Sequence, residues 1–222
     1  MVPAPNVIVL SGPAGSGKDS IARYLVDQHG WALHSLSGPM KRFVGDLCGF
    51  TDEQLYGRSS ARNAADERWA RPCPACLAAA RCCPSAVEGC VGPVNDNSPR
   101  RILCLLGEEY LRQMIHPDAL TMRARPDIER LLGAGRRVVV NDGRHRNDRN
   151  NLREWFGAAR VDVRNRCRKV VDEPWRRHWS ELDLPSDDEV EHVINVDERW
   201  PFAGLPRLVD GMLAAIAMPR QI

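Results

Sequence analysis

A short aliphatic run, Val7-Ile-Val-Leu10, leads into the glycine-rich segment Gly12-Pro-Ala-Gly-Ser-Gly17, and Lys18 then opens an amphipathic stretch. That order predicts strand, phosphate-binding loop, helix. Gly12, Gly15 and Gly17 let the backbone curl until its N–H groups converge on one anion, and the positive end of the following helix adds to the field. Ala14 and Ser16 complete the loop, and Lys18 is placed to reach the β- and γ-phosphates of a nucleotide such as ATP. The pattern GxxxxGK[ST] is met except at its last position. Asp19 stands where a Ser or Thr would hold Mg²⁺, and the hydroxyl comes one residue late, at Ser20. Either could meet the ion.

The basic residues are unevenly chosen. Of 31 Lys and Arg residues only Lys18, Lys41 and Lys169 are lysines. A compact ammonium on a flexible stem suits a moving phosphoryl group, whereas the arginine fork suits fixed oxyanions. Lys18 belongs to the phosphate loop, and Lys41 follows the Gly38-Pro39 turn at the start of an expected helix.

At 222 residues the chain is long enough for one domain with an insertion, and 43% hydrophobic residues are ample for a core. A net charge of +2 argues against a general nucleic-acid coat protein. The N-terminal segment lacks a basic region and a long apolar run, and no stretch approaches a membrane span, so a cytoplasmic location is expected. Eight cysteines in a reducing compartment are not expected to form disulfides.

Along the chain, strands are expected near 6–10, 31–36, 138–140, 159–163 and 193–196, with helices between them. Gly30 should end the first helix in a left-handed conformation. Ser98 and Pro99 should cap a helix with a broad apolar face, and Pro126 should split a later one. Strands alternating with helices predict an α/β fold with a parallel sheet covered on both faces. Ligands of such sheets bind beyond the C-terminal strand ends, where the phosphate loop and Asp142 both fall. Residues 58–97 differ in character, being rich in Ala, Arg, Cys and Pro. They read as an insertion into a core formed by 1–57 and 98–222, with a polar basic loop near 164–184.

Four further segments look chemical. They are Leu36-Ser-Gly-Pro-Met-Lys41; Ser98-Pro-Arg-Arg-Ile-Leu-Cys-Leu-Leu-Gly107, continuing through Arg112; Asp142-Gly-Arg-His-Arg-Asn-Asp148; and His178-Trp-Ser-Glu181 followed by Val193-Ile-Asn195. In this order they resemble the deoxynucleoside monophosphate kinases of tailed bacteriophages. The phosphate loop of that family ends Gly-Lys-Asp-Thr, and here it ends Gly17-Lys18-Asp19-Ser20. Its Gly-Pro-x-Lys turn is matched by Gly38 to Lys41, its Pro-Arg-Arg helix by Pro99, Arg100 and Arg101 with Leu106-Gly107, and its Asp-x-Arg-x-x-Asn-Glu by Asp142, Arg144, Asn147 and Asp148. Its His-x-Ser-Glu lid appears as His178, Ser180 and Glu181, and its Val-Ile-x-Asn strand as Val193, Ile194 and Asn195, shifted so that the last two are adjacent. The resemblance spans nearly all the chain outside 58–97. Where the family usually has Gln and Thr, this chain has Cys104 and Glu108, so the accepted base is left open.

The resemblance implies a P-loop kinase fold and ATP-dependent phosphorylation of a deoxynucleoside monophosphate, with Mg²⁺ as cofactor. Lys18, Arg144 and Asp142 become the expected catalytic set, Asp142 holding Mg²⁺ through water. Arg164 and Asn195 join the loop residues as ATP-binding positions. Lys41, Arg100, Arg101 and Arg112 are the expected monophosphate-binding residues, and Arg168, His178, Ser180 and Glu181 belong to the lid. Such chemistry needs the donor phosphates held, the acceptor aligned and developing charge met by cations, which suits the many arginines. No membrane or stable nucleic-acid partner is expected, and a homodimer is open. Other possibilities are a kinase for a different phosphorylated small molecule or modified base, and a zinc-containing nucleic-acid-binding nucleotide switch.

The insertion carries Cys73-Pro-Ala-Cys76, then Cys82-Cys83, then Cys90. This is zinc spacing, with free thiols in a loop and redox chemistry as the alternatives. Cys73, Cys76, Cys90 and one of Cys82 and Cys83 would close a four-thiolate site. Cys48, Cys104 and Cys167 read as small core or lid residues.

Overall fold

In a computed structural model, residues 5–78, 96–165, 184–197 and 203–217 are described. The chain forms two compact units, one of residues 1–38 with 116–222 and one of residues 39–115.

The first unit is built on five parallel strands. They are β1 (Val7–Ser11), β2 (Ala32–His34), β3 (Val138–Val140), β4 (Ala159–Asn165) and β5 (His192–Val196), in the order β2-β3-β1-β4-β5. β1 is central and every residue of it is buried, which is why its sequence is an unbroken apolar run and not an alternating one. Ile8 and Leu10 face one layer with Val139, Val161, Val163, Ile194 and Val196. That layer is closed by Ile21, Ala22 and Leu25 of helix α1 (Lys18–His29) and by Val209 and Met212 of a C-terminal helix, Leu205–Ala217. Val7 and Val9 face the other layer with Val138 and Val140. It is closed by Ala124 and Ile128 of a helix spanning Ala119–Gly133 and by Leu152 of one spanning Arg146–Phe156. The expected doubly covered parallel sheet is thus present, and Gly30 ends α1 at φ 68° as expected.

The helix Ala119–Gly133 departs from expectation, because it runs through Pro126 without a break. Proline frees the carbonyl four residues back. Pro126 and Met122 are both exposed, so water can satisfy that carbonyl.

The second unit is helical. Its elements are α2 (Gly38–Cys48), α3 (Asp52–Tyr56), α4 (Ser59–Asn63), α5 (Pro74–Ala78) and α6 (Pro99–Cys104). Ser98 caps α6 by accepting from the Arg101 N–H, with Pro99 in its first turn, as the sequence predicts. The helix then changes character: Leu105–Ile115 is π-helical. Tyr110 and Met114 on this segment are 50% and 75% exposed, so the broad apolar face is not covered along its whole length. Val44, Cys48, Phe50 and Leu55 form the core of this unit, with Ile102, Leu103 and Leu106 against it.

Residues 58–70, expected to start the insertion, are built into this helical unit. Trp69 donates its indole N–H to the Cys48 carbonyl at 3.1 Å and stacks edge-on to Phe50. Arg68 donates to the Gly49 carbonyl and pairs with Asp66, so two carbonyls at the end of α2 are capped from this segment. Arg71 makes two hydrogen bonds to Asp96, at 3.0 and 2.9 Å.

With the ranges now given, the helices Ala119–Gly133, Arg146–Phe156 and Leu205–Ala217 are α7, α8 and α9.

Candidate active site

The loop between β1 and α1 curls as its glycines predict. Gly12, Gly15 and Gly17 have φ of 122°, 78° and 107°, values that L side chains rarely adopt. At Gly12 space is also lacking, since a Cβ would lie 2.3 Å from the Val163 carbonyl oxygen of β4. The N-cap of α1 is Gly17, which has no side chain to cap the first turn. The first N–H groups of that helix and the positive end of its dipole therefore suit an external anion.

Lys18 lies on the loop. Its Nζ donates to the carbonyls of Gly12 at 2.6 Å and Pro13 at 2.8 Å, and to Ser16 Oγ at 3.4 Å. The side chain is buried, so its charge is held against the loop and is little diluted by water. Asp19 is exposed at the first turn of α1, and Ser20 beside it is half-buried.

Asn141 and Asp142 follow the three valines of β3. Asn141 was singled out by no sequence pattern, yet its Nδ2 donates to Asp19 Oδ1 at 2.7 Å. Asp142 points elsewhere. Its Oδ1 accepts from the Leu36 N–H at 2.8 Å, and its Oδ2 accepts from the Ser37 N–H at 3.0 Å and from the hydroxyls of Ser35 and Ser37, both at 2.7 Å. Burial works to raise the pKa of this carboxyl, but the hydrogen bonds from Ser37, Ser35 and Leu36 outweigh it and hold the value below the ordinary one. The expectation that Asp142 holds Mg²⁺ through water thus meets a carboxylate with four donors already on it. No sequence pattern revealed this, because those donors lie more than 100 residues away.

After Asp142 the chain turns tightly against β1. A Cβ on Gly143 would lie 2.2 Å from Val9 Cγ2, so only glycine fits there. Arg144 is half-buried, and its carbonyl accepts from Arg149 Nη1 at 2.6 Å. The buried Arg149 of α8 thereby fixes the backbone that carries Arg144. Asp148, part of the same motif, is buried in the first turn of α8.

Arg164 and Asn195 are in-register neighbours at the C-terminal ends of β4 and β5. Arg164 donates to Asp162 at 2.8 Å and to Asp187 at 2.6 Å, and these two carboxylates raise its pKa. Asp162 is buried and also accepts from Ser11 Oγ at 3.3 Å, so one acid ties the start of the phosphate loop to Arg164.

The residues expected to bind the monophosphate all lie in the helical unit. Lys41 of α2 stands 5.2 Å over the ring of Tyr56. Arg101 pairs with Asp96 at 3.6 Å, and Arg100 precedes it on α6. Arg112 is buried on the π-helix with Glu108 one turn before it, Nε to Oε2 at 3.5 Å. Gly107 of that helix lies against Met40, which precedes Lys41; a Cβ there would stand 3.1 Å from the Met40 side chain.

Cys73 and Cys76 are both fully buried at the start of α5. Among the described residues there is no group of three or more potential metal-ligating side chains. Cys82, Cys83 and Cys90 lie outside the described residues, as do Arg168, His178, Ser180 and Glu181 of the expected lid. Among the described residues no helix is long and apolar enough to cross a membrane.

No protein-family model matches the chain. A protein of Acanthamoeba polyphaga mimivirus, provisionally named a deoxynucleotide monophosphate kinase, is 27% identical over 160 residues, covering 68% of this chain and 70% of that protein. Among solved structures, a Janibacter sugar kinase aligns with a TM-score of 0.42 at 16% identity, covering 96% of this chain and 98% of that one. A Sinorhizobium meliloti gluconokinase gives a TM-score of 0.41 at 17% identity, covering 97% and 95%. A dephospho-CoA kinase from Campylobacter jejuni gives 0.46 at 11% identity, covering 96% and 97%. With TM-scores below 0.5, the description of the fold rests on the sheet order and the phosphate loop themselves.

Proposed function

We propose that this protein is a P-loop phosphotransferase that moves the γ-phosphate of ATP onto a deoxynucleoside monophosphate. The observation that carries the reading is the glycine loop at the C-terminal end of the central strand, with Lys18 folded against it and an uncapped helix behind it. The mimivirus relative supports the same chemistry by its name.

In this reading, the loop N–H groups and the start of α1 cradle the donor phosphates. Lys18 leaves the loop carbonyls to follow charge on the β- and γ-phosphates. A phosphate oxygen of the acceptor forms a bond to the γ-phosphorus as the bond to the β-phosphate oxygen breaks, and ADP leaves with that electron pair. Little covalent help is needed, so the work of the protein is alignment and charge. Arg144, whose backbone carbonyl is held by Arg149, would meet oxygen charge on the transferred group. Arg164 and Asn195 serve the ATP side, and Lys41, Arg100, Arg101 and Arg112 the acceptor. Arg168, His178, Ser180 and Glu181 would close over the triphosphate and exclude water. Hard oxygen donors at the start of α1, the Asp19 carboxylate and the Ser20 hydroxyl, fit Mg²⁺, which when bound supplies charge neutralisation between the β- and γ-phosphates. We also assign a structural zinc to Cys73, Cys76, Cys90 and one of Cys82 and Cys83; the complete burial of the first two supports it.

The test is ADP formation across a panel of deoxynucleoside and ribonucleoside monophosphates. Turnover that depends on one or a few of them is expected. ADP formation stimulated by DNA and indifferent to monophosphates would replace this reading with a nucleotide switch.

A further inference from the structure

In the usual P-loop arrangement the residue after the lysine carries a hydroxyl, and the carboxylate on the metal side stands on a neighbouring strand. This chain exchanges the two chemistries. The acid, Asp19, follows Lys18 on the loop, and the side chain that meets it from the end of β3 is the neutral Asn141. A carboxylate without a proton only accepts hydrogen bonds, so the group Asn141 presents to Asp19 is its NH₂. The next acid along, Asp142, has both oxygens committed to Ser35, Leu36 and Ser37. Its Oδ2 accepts from three donors and its Oδ1 from the Leu36 N–H, so a metal ion approaching Asp142 would compete with donors already in place. Asp19 is exposed and among the described residues accepts from Asn141 through one oxygen.

We propose that Asp19 is the carboxylate that takes the Mg²⁺ of the bound nucleotide, that Asn141 is the positioning residue that orients it, and that Asp142 takes no part in metal binding. The assignment rests on the P-loop nucleotide site argued above. The exchange also explains why an amide ends β3. A second acid at position 141 would face Asp19 at hydrogen-bonding distance, and two carboxylates that close cannot both stay ionised.

The experiment measures ADP binding by calorimetry as Mg²⁺ is titrated, with Mn²⁺ paramagnetic resonance as a direct readout of metal occupancy. Asp19→Ser and Asp19→Asn should raise the Mg²⁺ concentration for half-maximal enhancement of ADP affinity by roughly 10–100-fold, and Asn141→Ala by about tenfold. Affinity for ADP in EDTA should stay within about twofold of wild type in each, since the loop N–H groups remain. Asn141→Asp should also weaken metal binding, and the double variant Asp19→Ser/Asn141→Asp, which restores the usual placement, should recover most of the loss. Melting curves check that each variant is folded. Unchanged Mg²⁺ dependence in folded Asp19→Ser and Asp19→Asn would overturn the proposal, and so would a loss seen in Asp142→Asn instead. Wild-type protein that binds Mg-ADP through Asp19 but phosphorylates no monophosphate would sink the kinase reading and leave this assignment standing.

Discussion

Lys18 and Asp142 show how differently two charges with several hydrogen-bond partners can be used. Lys18 is held by carbonyls that a phosphate oxygen could replace, so its contacts in this structure are those of a cation ready to move. Lys18→Ala should lower kcat by roughly 10²–10³-fold with little change in melting, because what is lost is charge in the transition state; normal turnover in a folded variant would defeat the kinase reading. Asp142 binds groups that stay in place, the turn between β2 and α2. Asp142→Ala leaves the N–H groups of Leu36 and Ser37 without their acceptor and should cost about 3 kcal/mol. The pH dependence follows from the lowered pKa. A carboxylate whose folded pKa lies below its unfolded value stabilises the fold above the unfolded value, 3.8, and that stabilisation is lost as pH falls from there through the folded pKa. Wild type should therefore lose its advantage over Asp142→Ala as melting is followed from pH 6 down into that range. A constant gap between the two across the whole titration would show that the charge of Asp142 contributes nothing.

At the scale of elements, α5 and the π-helix are where local sequence and neighbourhood interact most. α5 spans only Pro74–Ala78, too short to be stable alone, and yet Cys76 within it and Cys73 just before it are completely buried. A structural metal would supply what five residues of helix cannot. Metal analysis of the purified protein should give about one zinc per chain, as a closed four-thiolate site requires. Chelation should raise hydrogen exchange around 71–78 and leave β1 and α1 protected. A metal-free, fully active protein with five titratable thiols between Cys73 and Cys90 would exclude the site. The π-helical segment carries the buried pair Glu108 and Arg112. At 3.5 Å and within one helix, this pair constrains the direction of the Arg112 guanidinium.

On the scale of the whole molecule, the proposed sites divide between the two compact units. Every residue assigned to ATP and described in the structure lies in the sheet unit, and every one assigned to the monophosphate lies in the helical unit. A non-hydrolysable ATP analogue should slow hydrogen exchange in residues 12–20 and 141–145. A deoxynucleoside monophosphate should instead protect the start of α2 and residues 99–112, and protection there by neither ligand would remove the acceptor assignment. The sequence by itself determined the phosphate loop, the α1 boundaries, the Ser98 cap and the parallel sheet, because each depends on residues within a few positions of one another: glycine conformations, capping hydroxyls, apolar periodicity. It could not show that α7 continues through Pro126, which depends on that carbonyl facing water. Nor could it show that the helix after Cys104 widens, or that 58–70 caps the end of α2. Most of all it could not sort the acids. Asn141, Asp142 and Asp19 acquire distinct hydrogen-bond partners only when parallel pairing of β1 with β3 sets residues over 120 positions apart within 2.7 Å, and when the turn after β2 turns its donors onto Asp142 and not onto Asp19.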